Sequence, residues 1–193
     1  MELFEQSIVD GGPYQLTLKF SVKYRTIIIL TSAIITMTYI TITKASLEDL
    51  KDILSLQKQA FSSEADIYND FDKSPPLLQT LIEITKEFSE SVFLKALLRE
   101  EIVGSVRGYQ VNETIFIKRL IVSLSYQNQG IGTKLMKTIE ESFKDNKRYE
   151  LYTGHKSIRN LHLYYKLGYK EFKRTFIHKN LTMIYLEKYA YQR

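Results

Sequence analysis

The stretch Lys118-Arg119-Leu120-Ile121-Val122-Ser123-Leu124-Ser125-Tyr126-Gln127-Asn128-Gln129-Gly130-Ile131-Gly132-Thr133 constrains the fold more than any other part of the chain. Its apolar, β-branched start reads as a strand, a short polar loop follows, and Ile131, Leu135, Ile139 and Phe143 then recur at helical spacing. A strand, a glycine loop and a helix N-terminus in that order make an anion cradle. Glycine lets the backbone come close to a ligand, and the first N–H groups of a helix lack intrahelical partners and face outward at the positive end of its dipole. A pyrophosphate is the natural guest. No Gly-Lys-Ser/Thr follows, so this is not a Walker loop, and the Gly-x-Gly-x-x-Gly order of a dinucleotide fold is missing.

Strand and helix patterns alternate around this segment. Tyr39 to Thr43 alternates apolar and hydroxyl side chains, and Ser46, with Asp49 three residues on, is a candidate N-cap for a helix through Leu50, Ile53, Leu54, Leu56 and Phe61. Ser62 to Lys73 reads as acidic and irregular, and Pro75-Pro76 opens a second helix to about Phe88. Val92–Leu98, Ile102–Tyr109 and Thr114–Val122 are strands joined by short polar turns, an antiparallel meander. A helix over Gly130–Lys144, a strand over Tyr149–Tyr152, a helix over Ser157–Leu167 with Gly168 as its C-cap, and strands over Tyr169–Arg174 and Leu181–Glu187 complete one mixed α/β domain.

Composition narrows the function classes. The chain has no cysteine, which excludes disulfides, thiolate metal sites and a cysteine nucleophile and favours an intracellular, cytoplasmic setting. His155, His162 and His178 are the only histidines, without the partners of a zinc site, so no metal is expected. The net charge is +5, and because three basic and three acidic residues cancel before Met37, the whole excess belongs to the segment with the cradle. Lys and Arg are dispersed and no nucleic-acid motif is present, so nucleic acid is not an expected partner. Thr26 to Thr43 carries no charge, but its many Thr and Ser residues weaken it as a membrane span, and its second half serves as a strand. Met37 stands just before that strand. Residues 1–36 are therefore read as an appendage, which an upstream start would explain, and 37–193 as the domain.

Gln-x-x-Gly-x-Gly directly after Leu-Ile-Val resembles the coenzyme A signature of the GNAT acetyltransferases. Downstream, Asn160-Leu161-His162-Leu163-Tyr164-Tyr165-Lys166-Leu167-Gly168-Tyr169 is similar to the family's second signature, an Asn on a helix before an aromatic pair and a Leu-Gly-aromatic ending. The resemblance covers residues 39–188. It implies a GNAT fold, a mixed, mostly antiparallel sheet splayed at the cofactor site and flanked by helices, and acetyl-CoA as co-substrate for transfer to a small-molecule or peptide amine. Gln127, Asn128, Gln129, Gly130, Ile131, Gly132 and Thr133 would hold the pyrophosphate, and Leu120, Ile121 and Val122 would pair their backbone with the pantetheine arm. Asn160 would bond that arm, and the main-chain N–H of Leu120 or Ile121 would polarise the thioester carbonyl.

By the same resemblance Tyr165 would protonate the departing thiolate, with Tyr164 as the neighbouring alternative; a phenol with a pKa of about 10 is protonated at neutral pH. For the base that takes the acceptor's proton, Glu113 is a candidate near the start of the strand leading to the cofactor. Glu64, Asp66, Asp70 and Asp72 form an acidic group that suits a cationic acceptor end, with Tyr68 and Phe71 able to wall the pocket. A non-catalytic coenzyme A-binding module is the rival reading. Oligomeric state stays open, a homodimer included.

Overall fold

A computed structural model describes residues 39–69 and 74–190. The appendage, most of the uncharged run from Thr26, and Asp70, Phe71 and Asp72 lie outside the described residues. Seven strands, β1 (Ile40–Lys44), β2 (Val92–Leu98), β3 (Glu101–Val111), β4 (Thr114–Val122), β5 (Arg148–Gly154), β6 (Lys170–His178) and β7 (Leu181–Tyr189), form one sheet in the order β1-β2-β3-β4-β5-β7-β6. Every neighbouring pair is antiparallel except β4 with β5. Tight turns close the β2–β3–β4 meander. Arg99 and Asn112 make them by taking left-handed backbone, φ 58° and 53°.

The helices are α1 (Leu50–Tyr68), α2 (Pro75–Leu78), α3 (Leu81–Ser89), α4 (Ile131–Glu141) and α5 (Ile158–Lys166). Before α1, the Ser46 N–H donates to the Asp49 carboxylate at 2.6 Å. Two expectations need correction. The acidic stretch from Ser62 is helical as far as Tyr68, because Ala65 and Tyr68 prolong the buried stripe begun by Leu50, Ile53, Leu54 and Gln57 at spacings of three and four. The helix expected from Pro75 to Phe88 breaks at Gln79, since Thr80 caps a new helix: the Glu83 N–H donates to Thr80 Oγ1 at 3.3 Å and the Thr80 N–H to the Glu83 carboxylate at 2.7 Å.

α4 covers one face of the sheet, where Leu94, Val103, Val106, Ile115, Ile117, Leu135, Met136 and Ile139 make the main core. On the opposite face a smaller core joins α1 and α3 to Phe93 through Leu50, Ile53, Leu54 and Ile84. A buried polar network also pins this side. Arg107 of β3 is 1% exposed and donates to the Glu87 carboxylate of α3 at 2.9 Å, to Gln79 at 3.2 Å and to Gln57 of α1, with Phe93 under its guanidinium at 4.8 Å. Gln57 in turn donates to the Pro76 carbonyl at 2.8 Å, so the network ties α2 to the sheet. Burial pushes the Arg107 pKa down to about 10, against the pull of Glu87.

Two features of β4 prepare a site. Its parallel pairing with β5 ends after Thr114, Ile115 and Phe116, so the rest of the two strands diverge. Between Lys118 and Ile121 the register with β3 shifts, leaving Arg119 and Leu120 to face Val106 together, and Arg119 takes φ 55°. This is a β-bulge, which bends a strand and re-aims its side chains.

Candidate functional site

The gap between β4 and β5 opens into two adjoining cavities. The larger, about 710 Å3, runs from the end of β4 along the loop to α4 and is closed by α1 and α5. Of the residues expected to hold the cofactor, Leu120, Ile121, Val122, Gln127, Asn128, Gly130, Ile131, Gly132, Thr133 and Asn160 all line it. Gln129 does not: it lies between the left-handed Asn128 (φ 62°) and Gly130 (φ 79°), which turn the loop so that its side chain faces solvent.

The cradle fits a phosphorylated ligand. The first hydrogen bond of α4 runs from the Lys134 N–H to the Gly130 carbonyl at 3.0 Å, so the N–H groups of Ile131, Gly132 and Thr133 precede the intrahelical ladder. A Cβ at Gly132 would come within 3.2 Å of Leu163, which places the helix close to α5. Lys156, Arg159 and Lys166 add positive charge to the same cleft. Arg159 also braces the loop, donating to Gln127 Oε1 at 2.6 Å, while Gln127 Nε2 donates to the Val122 carbonyl at 3.2 Å. Arg159 carried no signal in the sequence beyond its charge.

The smaller cavity, about 370 Å3, lies on the α1 side of the sheet, between α1, α2, β5 and the β6–β7 turn. Phe61, Glu64, Leu120 and Asn160 line both spaces and mark where they meet. Among the described residues of the acidic group, Glu64 reaches the junction. Asp66 is exposed. Burial raises the Glu64 carboxyl above the usual carboxylate range, against a hydrogen bond from Ser157 Oγ. Behind it the Tyr68 hydroxyl lies 2.9 Å from Ser157 Oγ and accepts the Lys156 N–H at 2.8 Å. With Glu64 ionised, one orientation satisfies every group: Tyr68 donates to Ser157, and Ser157 to Glu64. Tyr68 walls the cavity, and Ser157, missed in the sequence, orients the carboxylate.

Two other expectations are corrected. Tyr165 is 48% exposed and lines neither cavity, whereas Tyr164 is 6% exposed and faces the smaller one. Helical geometry sets them apart, since Asn160 and Tyr164 are one turn apart on the same face and Tyr165 is rotated by about 100°. Burial and the nearby Glu64 raise the Tyr164 pKa further above that of a free phenol. Glu113 sits in the β3–β4 turn, at the far end of β4, about 20 Å of strand from Leu120. There it is exposed and pairs with Lys147 at 2.6 Å.

Residues 48–169 match the Acetyltransferase (GNAT) family. This chain belongs to that family. Solved structures share the family's fold at low identity. The PaiA N-acetyltransferase of Thermoplasma acidophilum, in complex with coenzyme A, is 18% identical with a TM-score of 0.63, the match covering 77% of this chain and 98% of that one. The ribosomal-protein-S18-alanine N-acetyltransferase of Escherichia coli is 13% identical with a TM-score of 0.66, over 80% and 96% of the two chains. A GNAT-family acetyltransferase from Staphylococcus aureus Mu50 is 21% identical with a TM-score of 0.65, over 79% and 100%. No curated protein sequence gives a significant match. The mixed α/β fold expected from the sequence, mostly antiparallel and splayed between β4 and β5, is the one observed. Among the described residues no helix is long and apolar enough to cross a membrane, and no group of three or more His, Asp or Glu side chains stands ready to hold a metal ion.

Proposed function

We propose that this GNAT protein is an acetyl-CoA-dependent N-acetyltransferase that moves an acetyl group directly to a primary amine of a small molecule or peptide. The observation that carries the reading is the junction of the two cavities, where Leu120, Asn160 and Glu64 face the meeting point and Tyr164 stands one helical turn from Asn160. Acetyl-CoA, when bound, would supply an activated acetyl thioester whose leaving group is the coenzyme A thiolate. The chain's own groups do the rest. The loop and the first turn of α4 receive the pyrophosphate, and the bulge and splay turn the β4 backbone toward the pantetheine arm, where the Leu120 N–H can stabilise a developing oxyanion.

Glu64 takes the role of base that the sequence left open among several carboxylates. A protonated amine must lose a proton before it attacks, and a half-buried carboxyl with a raised pKa is a better match to that task than a surface carboxylate. Tyr164 is the acid. Its raised pKa keeps the phenol protonated at neutral pH, ready to protonate the departing sulfur. No covalent enzyme intermediate is needed, in keeping with a chain that has no cysteine.

Calorimetry of acetyl-CoA binding to the full chain tests the reading, beside a variant carrying Gly130→Asp and Gly132→Asp. Gly130 has left-handed backbone, and a Cβ at Gly132 would come within 3.2 Å of Leu163, so circular dichroism first establishes that the variant is folded. Binding in the micromolar range that the variant loses supports the cofactor site. A folded parent that binds neither acetyl-CoA nor coenzyme A sinks the proposal.

A further inference from the structure

The smaller cavity contains a charge that the transfer chemistry does not use. Strand alternation sends Ile115 and Ile117 into the α4-side core and Phe116 and Lys118 to the other face. Without the bulge Arg119 would follow Ile117 into the apolar core. Because Arg119 and Leu120 share one partner across the ladder, Arg119 instead joins Lys118 on the α1 side, 5.7 Å from the Phe61 ring, and lines the cavity.

The two neighbours differ in how they are neutralised. Lys118 Nζ pairs with Glu87 at 2.6 Å and lies over the Tyr109 ring at 4.5 Å. That same carboxylate already serves Arg107 at 2.9 Å. Glu87 thus pairs with Arg107 and Lys118, and it forms no ion pair with Arg119. Arg119 makes no ion pair among the described residues, and its buried Nε has no hydrogen-bond partner. Glu64, in the same cavity, is held by Ser157 and forms no ion pair with it. Burial lowers the Arg119 pKa, but a guanidinium stays charged at neutral pH. A half-buried guanidinium whose buried Nε lacks a partner carries a desolvation cost that a ligand can offset, and its planar fork matches a carboxylate.

We propose that the acceptor is a small amine that also carries a carboxylate, and that Arg119 binds this carboxylate while Glu64 faces the amine. The proposal rests on the acetyltransferase reading and narrows its substrate class. Arg119 directly precedes Leu120, so one small molecule can span from the guanidinium to the reacting carbonyl. At about 370 Å3 the cavity has room for such a molecule. The cationic acceptor end suggested by the acidic group in the sequence would be the amine of this molecule, with its carboxylate at the other end.

The test uses the 15N-labelled full chain with coenzyme A, following the Arg119 Nε–H signal, assigned by its loss in Arg119→Lys. Titration with propionate should shift this signal, and propionamide should not. In acetyl-transfer assays, free α-amino acids and short ω-amino acids are compared with their carboxamides and with spermidine. The carboxylate form should be preferred by about 10- to 100-fold in kcat/KM, the range expected for hydrogen bonds to a charged partner. Arg119→Gln should erase most of that preference through KM, and Arg119→Lys should restore part of it. An Nε–H signal unmoved by propionate, or carboxamides and spermidine used as well as the carboxylates, overturns the proposal. The acetyltransferase reading fails separately, if the amides of Ile131 to Thr133 do not respond to coenzyme A.

Discussion

Gly154 at the end of β5 is the position where one methyl group tests the whole arrangement behind Glu64. A Cβ there would lie 2.3 Å from the Tyr68 hydroxyl and 2.5 Å from its ring carbon, whereas ordinary contact begins at 3.4 Å. The ring must therefore move by about 1 Å. Tyr68 is 5% exposed and is tied by bonds of 2.9 Å to Ser157 and 2.8 Å to the Lys156 N–H, both of which such a shift breaks. Two lost hydrogen bonds cost about 1–3 kcal/mol together, and overpacking a filled site costs about 1–3 kcal/mol more. Gly154→Ala should thus lose about 2–6 kcal/mol against a total stability on the order of 5–15 kcal/mol. Urea unfolding of the full chain measures this, beside Tyr68→Ala and the double variant. The vacated ring leaves room for the methyl, so the double variant should be little worse than Tyr68→Ala alone. Transfer activity should fall with Gly154→Ala while coenzyme A affinity holds, because the Ser157–Glu64 pair loses its support. Strict additivity of the two single costs, or a Gly154→Ala protein within about 0.5 kcal/mol of the parent, refutes the reasoning.

Three further outcomes are expected. Glu64→Gln should lower kcat/KM by about 10²–10⁴ and remove the limb of the pH–rate profile that rises as the carboxyl ionises. Because the folded-state pKa of Glu64 is raised, its contribution to stability is full below the ordinary carboxylate pKa and is lost as pH climbs through the raised value, so Glu64→Gln should gain on the parent in melting scans from pH 4 to 8. Tyr164→Phe should reduce kcat by about 10²-fold or more, and Tyr165→Phe should leave turnover within about twofold. Arg107→Met should cost about 3–5 kcal/mol in urea unfolding by stranding the buried partners of the guanidinium; a loss below 1 kcal/mol would show that Gln57 and Glu87 repair the network unaided.

Much of the scaffold was legible because its signals are local. The bounds of β2 and β4 read correctly from apolar runs closed by polar turns, and Gly168 ends its helix as expected, at φ 90°. The loop was legible for the same reason, as its glycines, its position after a strand and the helical spacing beyond it all lie between Lys118 and Phe143. The misreadings were about direction and partnership. Ser62 to Tyr68 looks irregular when judged by charge, although Ala65 and Tyr68 continue a stripe that begins at Leu50. The family resemblance points to Tyr165, whereas one helical turn from Asn160 leads to its buried neighbour Tyr164. Glu113 looked near the cofactor because it opens the right strand, but a strand of nine residues puts its two ends far apart.

The least legible feature, the bulge in β4, is also the one on which the site most depends. Nothing in Ile117-Lys118-Arg119-Leu120 announces it, since Arg is an unusual residue for left-handed backbone and only the pairing with Val106 reveals the extra residue. A regular strand here would force a choice between two costs: Arg119 would enter the α4-side core, or Leu120 and Val122 would leave it. The bulge avoids both by giving Lys118 and Arg119 to one face while returning Leu120 to the other. The bulge lies just beyond Phe116, where the pairing of β4 with β5 ends and the cleft opens. Cofactor backbone, oxyanion donor and acceptor-binding cation are thus set by a single irregularity. A change that regularises β4, such as deletion of Arg119, should therefore abolish coenzyme A binding and acceptor recognition together, whereas Arg119→Gln, which keeps the extra residue, should separate them.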